Sequence, residues 1–362
     1  MLVLTTASYL FFSQIKFSGT AFKSTGRPRH TVCFLKTHKC ASSSVQNLLM
    51  RFGERRRLTF ALPWFDIYLG HTDLLNRTMV EGTPPFDMLV HHTRFQEDEA
   101  RALLKPDVVF VTIVREPASL FESLFSYGDL KEHVNVSLEE LQRATENASF
   151  VKQMRAILPG PNRKRLGLNQ MSFDLGFNLE LSHNESAVRG FIERMDAVFD
   201  LVMVAERMNE SLVLLRHLLC WEMDDVVVFK HNRRKGDFRH SLTKQLVAEL
   251  RALNSVDTLL YTYFTQRFEQ RVEAFGRERM QREVQLLEQR TSILYQQCVA
   301  EEYKPDNNYK FIRSHKVLTF KARNASLDLC KRMIEPELLV TERLRTKQRS
   351  RGGPEWFPQA VA

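Results

Sequence analysis

The fold of this chain is decided by the stretch Thr31-Val-Cys-Phe-Leu-Lys-Thr-His-Lys-Cys-Ala-Ser-Ser-Ser-Val-Gln-Asn-Leu-Leu-Met-Arg51. Its opening, mainly apolar run is too short for a helix and predicts a strand over 31–36. Small polar residues then precede apolar positions that suit a helix, so a helix is predicted to begin at Ser42. The stretch therefore predicts a strand, a loop and a helix in succession.

Four further apolar runs along the chain have the length of strands. They are Asp87–His91, Val108–Val114, Leu201–Ala205 and Val226–Lys230. Helical segments are predicted at 211–221, 243–253 and 255–297. Strands that alternate with helices predict an α/β fold, a three-layer, mainly parallel sheet with helices on both faces.

The composition is that of an ordinary globular protein. The chain has 362 residues, of which 43% are hydrophobic and 26% charged, and these values exclude a collagen, a long coiled coil and a wholly disordered chain. The formal net charge of +9 favours anionic ligands such as nucleotides or sulfated glycans. The sequence has no motif for reading RNA or DNA, so nucleic acid is not expected as a partner.

Six Asn-x-Ser/Thr triplets indicate a glycosylated lumenal or secreted protein. They begin at Asn76, Asn135, Asn147, Asn184, Asn209 and Asn324. The apolar run at 2–12 is shorter than the roughly 20 residues that span a bilayer as a helix. We interpret residues 1–17 as the remnant of a signal-anchor, with a frayed soluble N-terminus as the alternative.

Three further boundaries follow from local composition. Residues 18–30 are rich in Gly, Ser, Thr and basic residues, as expected of a stem or linker. The folded domain is expected to occupy 31–342. Residues 343–362 are basic and contain Gly and Pro, so we expect a loosely ordered tail there.

Two loops have the residues of a phosphate site. In open α/β sheets, ligands bind beyond the carboxyl ends of the strands, where helix N-termini attract anions. The loop over 36–44 has two lysines, a histidine and four hydroxyls at such a place, without the Gly-x-x-x-x-Gly-Lys-Ser/Thr pattern of nucleotide-hydrolysing loops. Arg115 follows the strand that ends at Val114, and Ser123 lies eight residues later; this pair suits a second phosphate. Two separate sites predict a nucleotide that is phosphorylated at two positions.

These elements resemble those of the Golgi sulfotransferases that use 3′-phosphoadenosine 5′-phosphosulfate, and further motifs resemble the galactose 3-O-sulfotransferase family. The motifs are Phe34–Lys39, His92–Phe95, Phe173–Phe177, Glu210–Leu215 and Leu219–Glu222. Val272–Met280 most resembles the galactosylceramide sulfotransferase branch of the family. The similarity runs from about Val32 to Leu339. It implies a P-loop-like sulfotransferase fold and a single-pass type II protein of the Golgi membrane, with a lumenal catalytic domain.

The resemblance also implies roles for individual residues. Lys39 takes the position of the family's loop lysine and is assigned to the bridging and 5′-phosphate oxygens, with Lys36 adding charge. His92 matches the histidine of the family's Asn-His-x-Arg-Phe pattern and is the first candidate for the general base; His38 is the second. The other candidates for donor binding are Thr37, Ala41, Ser42, Ser43, Ser44, Arg115, Ser123 and Arg234. Sulfuryl transfer to a hydroxyl needs a base, a cation at the leaving oxygen and in-line geometry, and no metal is expected.

Simpler structural roles are open for several of these residues. The hydroxyls at 42–44 are good helix caps, a role that is compatible with phosphate binding. Arg115 has Glu122 as a nearby candidate for an ion pair. The basic run at 233–236 is equally typical of a solvated charge cluster.

Two residues depart from the family pattern. Cys40 stands where Thr is usual, which replaces a hydroxyl donor by a weaker thiol. His91 stands where the pattern has Asn, and this leaves open which of two adjacent imidazoles faces the site. In the C-terminal part, Cys298 and Cys330 are candidates for a disulfide.

The predicted reaction is transfer of a sulfuryl group from 3′-phosphoadenosine 5′-phosphosulfate to the 3-hydroxyl of a terminal β-galactose. The expected partners are a galactose-terminated glycolipid or glycan as acceptor and the Golgi membrane, through the N-terminal anchor. A sulfotransferase for another carbohydrate and a noncatalytic glycan-binding relative are the alternatives, because acceptor residues are poorly determined by sequence.

Overall fold

Short strands, most of them buried, form the centre of the computed structural model, which describes residues 26–127, 137–145, 150–158, 166–229, 241–303, 319–324 and 326–352. The strands are β1 (Val32–Leu35), β2 (Leu62–Pro63), β3 (Tyr68–Leu74), β4 (Val80–Glu81), β5 (Met88–Leu89), β6 (His92–Arg94), β7 (Val109–Val114), β8 (Leu201–Val204), β9 (Val299–Tyr303) and β10 (Thr319–Ala322). Four of them form one sheet in the order β5-β1-β7-β8, and all of its pairings are parallel. The predicted α/β fold with a mainly parallel sheet is confirmed.

Helices connect and cover these strands. They are α1 (Ser42–Arg55), α2 (Glu97–Leu103), α3 (Pro117–Tyr127), α4 (Leu138–Ala144), α5 (Phe150–Ile157), α6 (Gln170–Asp174), α7 (Glu185–Val198), α8 (Met208–Leu219), α9 (Lys244–Leu253), α10 (Ser255–Phe275), α11 (Arg277–Cys298), α12 (Asp328–Ile334) and α13 (Glu337–Gly352). Short 3₁₀ turns occur at Arg77–Met79, Leu179–Leu181, Ala205–Arg207 and Met223–Asp225. The predicted strand, loop and helix over 31–51 are present as β1, its loop and α1.

Every residue of β1, β7 and β8 is buried. Because successive side chains of a strand point to opposite faces, full burial means that both faces of the sheet are covered. This explains why these strands are continuous apolar runs rather than alternating ones. Their apolar side chains belong to a single large hydrophobic cluster that also includes the apolar side of α1.

The order of the strands creates a ligand crevice between β1 and β7. The chain leaves β1 through α1 and reaches β5 on one side of it, and then crosses to β7 on the other side. Chain connections diverge at this point, which is where open α/β sheets bind ligands. The loop after β1 and Arg115 after β7 therefore meet at one edge of the sheet.

The prediction of a strand at Val226–Lys230 is wrong for residues 226–229, the part that the structure describes. These residues form no strand. Val226, Val227 and Phe229 are buried as expected, and Val228 is half-buried. Their carbonyls, however, accept side-chain hydrogen bonds from α1: Arg51 Nη2 donates to Val227 O at 2.5 Å, and Ser44 Oγ donates to Phe229 O at 3.0 Å. Helix side chains thus satisfy the backbone that a neighbouring strand would otherwise satisfy.

The long helical segment predicted at 255–297 is two helices, α10 and α11, separated by Gly276. This residue has φ 94°, a backbone conformation that glycine adopts without strain. Its N–H donates to Val272 O and Glu273 O, which closes the last turn of α10.

The prediction of a loose tail from residue 343 is wrong as far as Gly352, because α13 continues through this region. Arg345 and Gln348 are buried, and the basic residues pair with carboxylates on distant elements. Arg343 Nε lies 2.8 Å from Glu54 Oε1, and Arg349 Nε lies 2.5 Å from Glu81 Oε1. Residues 353–362 lie outside the described residues.

Two further findings concern covalent and membrane structure. Cys298 and Cys330 form a disulfide that joins the end of α11 to α12, as predicted. Among the described helices, none combines the length and the apolar character needed to cross a membrane. The proposed anchor at 1–17 and most of the stem at 18–30 lie outside the described residues.

Candidate active site

The crevice opens into a cavity of about 1830 Å³, which brings together ten of the twelve residues predicted for the site. They are Lys36, His38, Lys39, Ala41, Ser42, Ser43, Ser44, His92, Arg115 and Ser123. Thr37 is buried beside the cavity, and Arg234 lies outside the described residues. Residues from three separate parts of the chain thus meet in one place, although their roles in the reaction remain predictions.

The loop between β1 and α1 has a backbone that suits an anion. Lys39 and Ala41 both have φ 59°, a left-handed conformation that is uncommon for residues with a Cβ. Ala41 occupies the N-cap of α1, and no side chain caps the helix at this position. A helix N-terminus without such a cap presents N–H groups and the positive end of the helix dipole to a bound phosphate.

The loop hydroxyls stabilise the loop itself. Thr37 Oγ1 donates to Ile113 O at 2.5 Å, and Ser42 Oγ donates to Thr37 O at 2.7 Å. With Ser44 bonded to Phe229 O, three of the four hydroxyls donate to protein carbonyls. Neither Ser42 nor Ser44 is the helix cap that the sequence suggested, because Ala41 holds that position.

Arg115 connects the two predicted phosphate elements. Its Nη1 donates to the Lys39 carbonyl at 2.8 Å, so the guanidinium holds the left-handed residue of the first loop. Ser123, one helical segment further on, is buried and lines the same cavity. Cations from both elements therefore line one cavity.

His92 is oriented by a backbone carbonyl. Its Nδ1 lies 2.8 Å from Lys36 O, and a carbonyl can only accept, so Nδ1 carries the proton and the lone pair of the neutral ring is on Nε2. Tyr68 is the strand partner of His92 in the β3–β6 pair. The two rings therefore lie on the same side and stack with centroids 5.3 Å apart. The neutral ring therefore has a fixed tautomer, as the predicted role of general base requires.

His38 forms a second imidazole pair with a buried carboxylate. Its Nδ1 lies 3.0 Å from both oxygens of Asp174, and its backbone N–H donates to Oδ2 at 2.8 Å. The ring stacks on His92 with centroids 4.0 Å apart. Asp174 therefore holds the His38 ring in place beside His92.

The ambiguity between the two adjacent histidines is resolved by their directions. Successive side chains of extended backbone point to opposite sides, and His91 points away from the cavity, with Nε2 3.0 Å from Thr341 Oγ1. Burial lowers the pKa of His91 to about 3, so its ring is neutral. Of the two adjacent imidazoles, His92 is the one that lines the cavity.

Lys36 and Cys40 differ in what they offer to a ligand. Lys36 lines the cavity, and its Nζ lies 2.6 Å from Glu337 Oε2 of α13. Cys40 is completely buried, and its Sγ donates to His38 O at 3.3 Å. Burial also raises the pKa of this thiol, so it stays protonated and belongs to the loop's interior.

Three residues of the site were missed by sequence reasoning: Tyr68, Asp174 and Glu337. Asp174 lies in the quoted motif Phe173–Phe177, where a carboxylate among apolar residues was the available signal. Tyr68 and Glu337 gave no local signal, because their partners are far away in the sequence.

Within the described ranges, no group of three or more His, Cys, Asp or Glu could hold a metal ion; the expectation of a metal-independent reaction stays a prediction.

Comparison with known proteins gives a consistent match. The family model for galactose-3-O-sulfotransferases matches residues 1–348. The chain is 33% identical over 329 residues to a galactosylceramide sulfotransferase of Homo sapiens, covering 86% of this chain and 77% of the relative. It is 34% identical over 361 residues to galactose-3-O-sulfotransferase 3 of Mus musculus, covering 92% and 82%. A galactose-3-O-sulfotransferase 2 of Sus scrofa is 33% identical over 359 residues, covering 92% and 88%.

Proposed function

Since the chain belongs to the galactose-3-O-sulfotransferase family, we propose that it transfers a sulfuryl group from 3′-phosphoadenosine 5′-phosphosulfate to the 3-hydroxyl of a terminal β-galactose. The observation that carries this proposal is the hydrogen bond from Arg115 to the Lys39 carbonyl. It joins the two phosphate elements in the same cavity as His92.

The residues present fit a doubly phosphorylated donor. The N-terminus of α1, which has no side-chain cap, together with Lys36 and Lys39, would hold the 5′-phosphosulfate end. Arg115 and Ser123 would hold the 3′-phosphate. Because Thr37, Ser42 and Ser44 donate to carbonyls, backbone N–H groups and cations supply most of the binding. The donor supplies the sulfuryl group and leaves as adenosine 3′,5′-bisphosphate.

The protein's own contribution to the chemistry is a base and fixed positive charge. Nε2 of His92 would accept the proton of the acceptor hydroxyl, since Nδ1 is already bonded to Lys36 O. Lys39 would stabilise negative charge on the departing phosphate oxygen. His38, held by Asp174 beside His92, would orient the sulfuryl group or the acceptor.

The finer details of fold and location are part of the same proposal. The buried parallel sheet and the anion-binding loop after β1 support a three-layer, P-loop-like sulfotransferase fold. Exposed sequon asparagines at Asn76 and Asn184 support a lumenal Golgi domain. Residues 1–17 would then act as the membrane anchor of a type II protein, and 18–30 as its stem.

The acceptor is a galactose-terminated glycolipid or glycan. Some relatives are named for galactosylceramide and others for galactose alone. The galactosylceramide branch is the first candidate because of the resemblance over Val272–Met280. A nucleic-acid partner is not part of the proposal.

The test is sulfate transfer from labelled donor to galactosylceramide and, in parallel, to an oligosaccharide that ends in β-galactose. Lys39→Ala and His92→Ala should each lower kcat about 100-fold or more. Lys331→Ala and His183→Ala, at exposed positions, are matched controls that should retain activity. A wild-type protein that binds adenosine 3′,5′-bisphosphate but sulfates neither acceptor would contradict the proposal and favour a different acceptor or a glycan-binding role.

A further inference from the structure

The floor of the cavity contains a buried ion pair between two elements that are far apart in sequence. Lys36 immediately follows β1, and Glu337 is the first residue of α13; Nζ and Oε2 are 2.6 Å apart. The Lys36 side chain is only 1% exposed and that of Glu337 15%. Both residues line the cavity, so the pair lies next to the proposed donor site.

Glu337 is held as an ionised group. Burial opposes its ionisation, but the neighbouring Lys36 ammonium holds the pKa of the carboxyl below its usual range. Its backbone is fixed as well, because Thr341 Oγ1 donates to Glu337 O at 2.9 Å and is itself bonded to His91. The carboxylate therefore has a fixed position and a full negative charge.

Lys36 links this carboxylate to the base. Its side chain meets Glu337, while its carbonyl accepts the hydrogen bond that orients His92. A displacement of Lys36 would thus move the donor-site cation and turn the imidazole. Misplacement of reacting groups by about 1 Å costs on the order of 100-fold in rate, so the position of this lysine matters for kcat.

We infer that Glu337 is a positioning residue, which holds the Lys36 ammonium in place for sulfuryl transfer and makes α13 part of the active site. This inference rests on the proposed function. It also assigns a role to a segment of which all but the first six residues fell in the tail expected from the sequence.

Removing the charge of Glu337 distinguishes a positioning role from a purely structural one. A carboxylate beside the site of a polyanion weakens binding of that polyanion. Removing the charge should therefore leave nucleotide affinity equal or higher, while kcat falls because Lys36 is no longer held. Structural damage would weaken both together.

The experiment compares Glu337→Gln, Glu337→Asp and wild type in the complete chain. Titration calorimetry with adenosine 3′,5′-bisphosphate gives Kd, and sulfate transfer gives kcat and KM. Glu342→Gln is the matched control, since Glu342 is on the same helix and its side chain is 56% exposed, paired with Arg345. We expect E337Q to lose about 10- to 100-fold in kcat with a Kd no weaker than wild type. E337D should recover part of kcat, and E342Q should match wild type.

Two results would overturn the inference. One is a kcat of E337Q within twofold of wild type. The other is a fall in nucleotide affinity as large as the fall in kcat, without recovery in E337D, which would mean a structural role. The titration needs no acceptor. If wild type sulfates neither acceptor, the proposed function fails, but a Kd of E337Q that is equal to or tighter than wild type would still support the position of the ion pair beside the nucleotide site, and a weaker Kd would contradict it.

Discussion

Replacing Glu54 should destabilise the protein more than any exposed carboxylate would, because Glu54 is the buried anion that three cations share. It lies on α1, and its side chain is 2% exposed. Arg343 Nε and Lys347 Nζ of α13 lie 2.8 and 2.7 Å from Oε1, and Arg332 of α12 pairs with Oε2. The carboxylate thus ties α1 to α12 and α13.

The magnitude follows from the pKa. Burial alone would raise the pKa of Glu54, but hydrogen bonds from Arg343 and Lys347 and the nearby charges lower it from 4.5 to about 2. This difference corresponds to about 3 kcal/mol of unfolding free energy. The pKa is lower in the folded state, so the stabilisation is complete above about pH 5 and is lost as pH falls through 4.5 towards 2. At pH 3 about 1 kcal/mol of it should remain.

Urea unfolding of wild type and Glu54→Gln at pH 7 and pH 3 measures this directly. The difference in unfolding free energy should be about 3 kcal/mol at pH 7 and should shrink to about 1 kcal/mol at pH 3. Glu278→Gln is the control: its carboxylate is 91% exposed and 3.9 Å from Arg282, so its effect should stay within about 0.5 kcal/mol. A difference below about 1 kcal/mol at pH 7, or one that does not shrink in acid, would refute the reasoning.

Two further outcomes are expected. Asp174→Asn should lower kcat about tenfold or more while nucleotide Kd stays within twofold, because the His38 ring loses its anionic partner; a parallel loss of both would mean that the loop has collapsed. When the protein is expressed through the secretory pathway, mass spectrometry should find glycans at Asn76 and Asn184, whose side chains are exposed. Asn209 should be unmodified, because its Nδ2 donates to Glu288 at 2.7 Å at the cavity wall; glycan there would contradict this reasoning.

Most of the correct predictions came from local sequence patterns. The strand and helix around the first loop, and Arg115 at the end of the next central strand, follow from short apolar runs and the residues that interrupt them. The residues that pair with Lys36 and His38 do not follow from local patterns. Glu337 is 301 residues from Lys36, and Asp174 is 136 residues from His38. Asp174 stands out only as a carboxylate among apolar residues, and nothing in the apolar pattern selects Glu337 among the 43 acidic residues of the chain.

Two wrong predictions have the same physical origin. Val226–Lys230 has the composition of a strand, and 343–352 has the charge of a solvated tail. In both cases distant side chains change the outcome: Arg51 and Ser44 satisfy the first segment's carbonyls, and Glu54 and Glu81 neutralise the second segment's cations. The composition of a segment indicates which secondary structure it favours by itself. Which partners its carbonyls and charged side chains find depends on groups that the fold brings close to it.

Cys40 and His91 depart from the family pattern, and their effect on activity depends on where their side chains point. A thiol at Cys40 would cost a ligand contact only if the side chain reached the ligand. Instead, it is fully buried and donates to His38 O, and a threonine hydroxyl in that position would meet the same carbonyl. His91 is likewise buried against Thr341, opposite the cavity. Both substitutions therefore change the support of the loop and of α13, while Lys39, Arg115 and His92 still line the cavity.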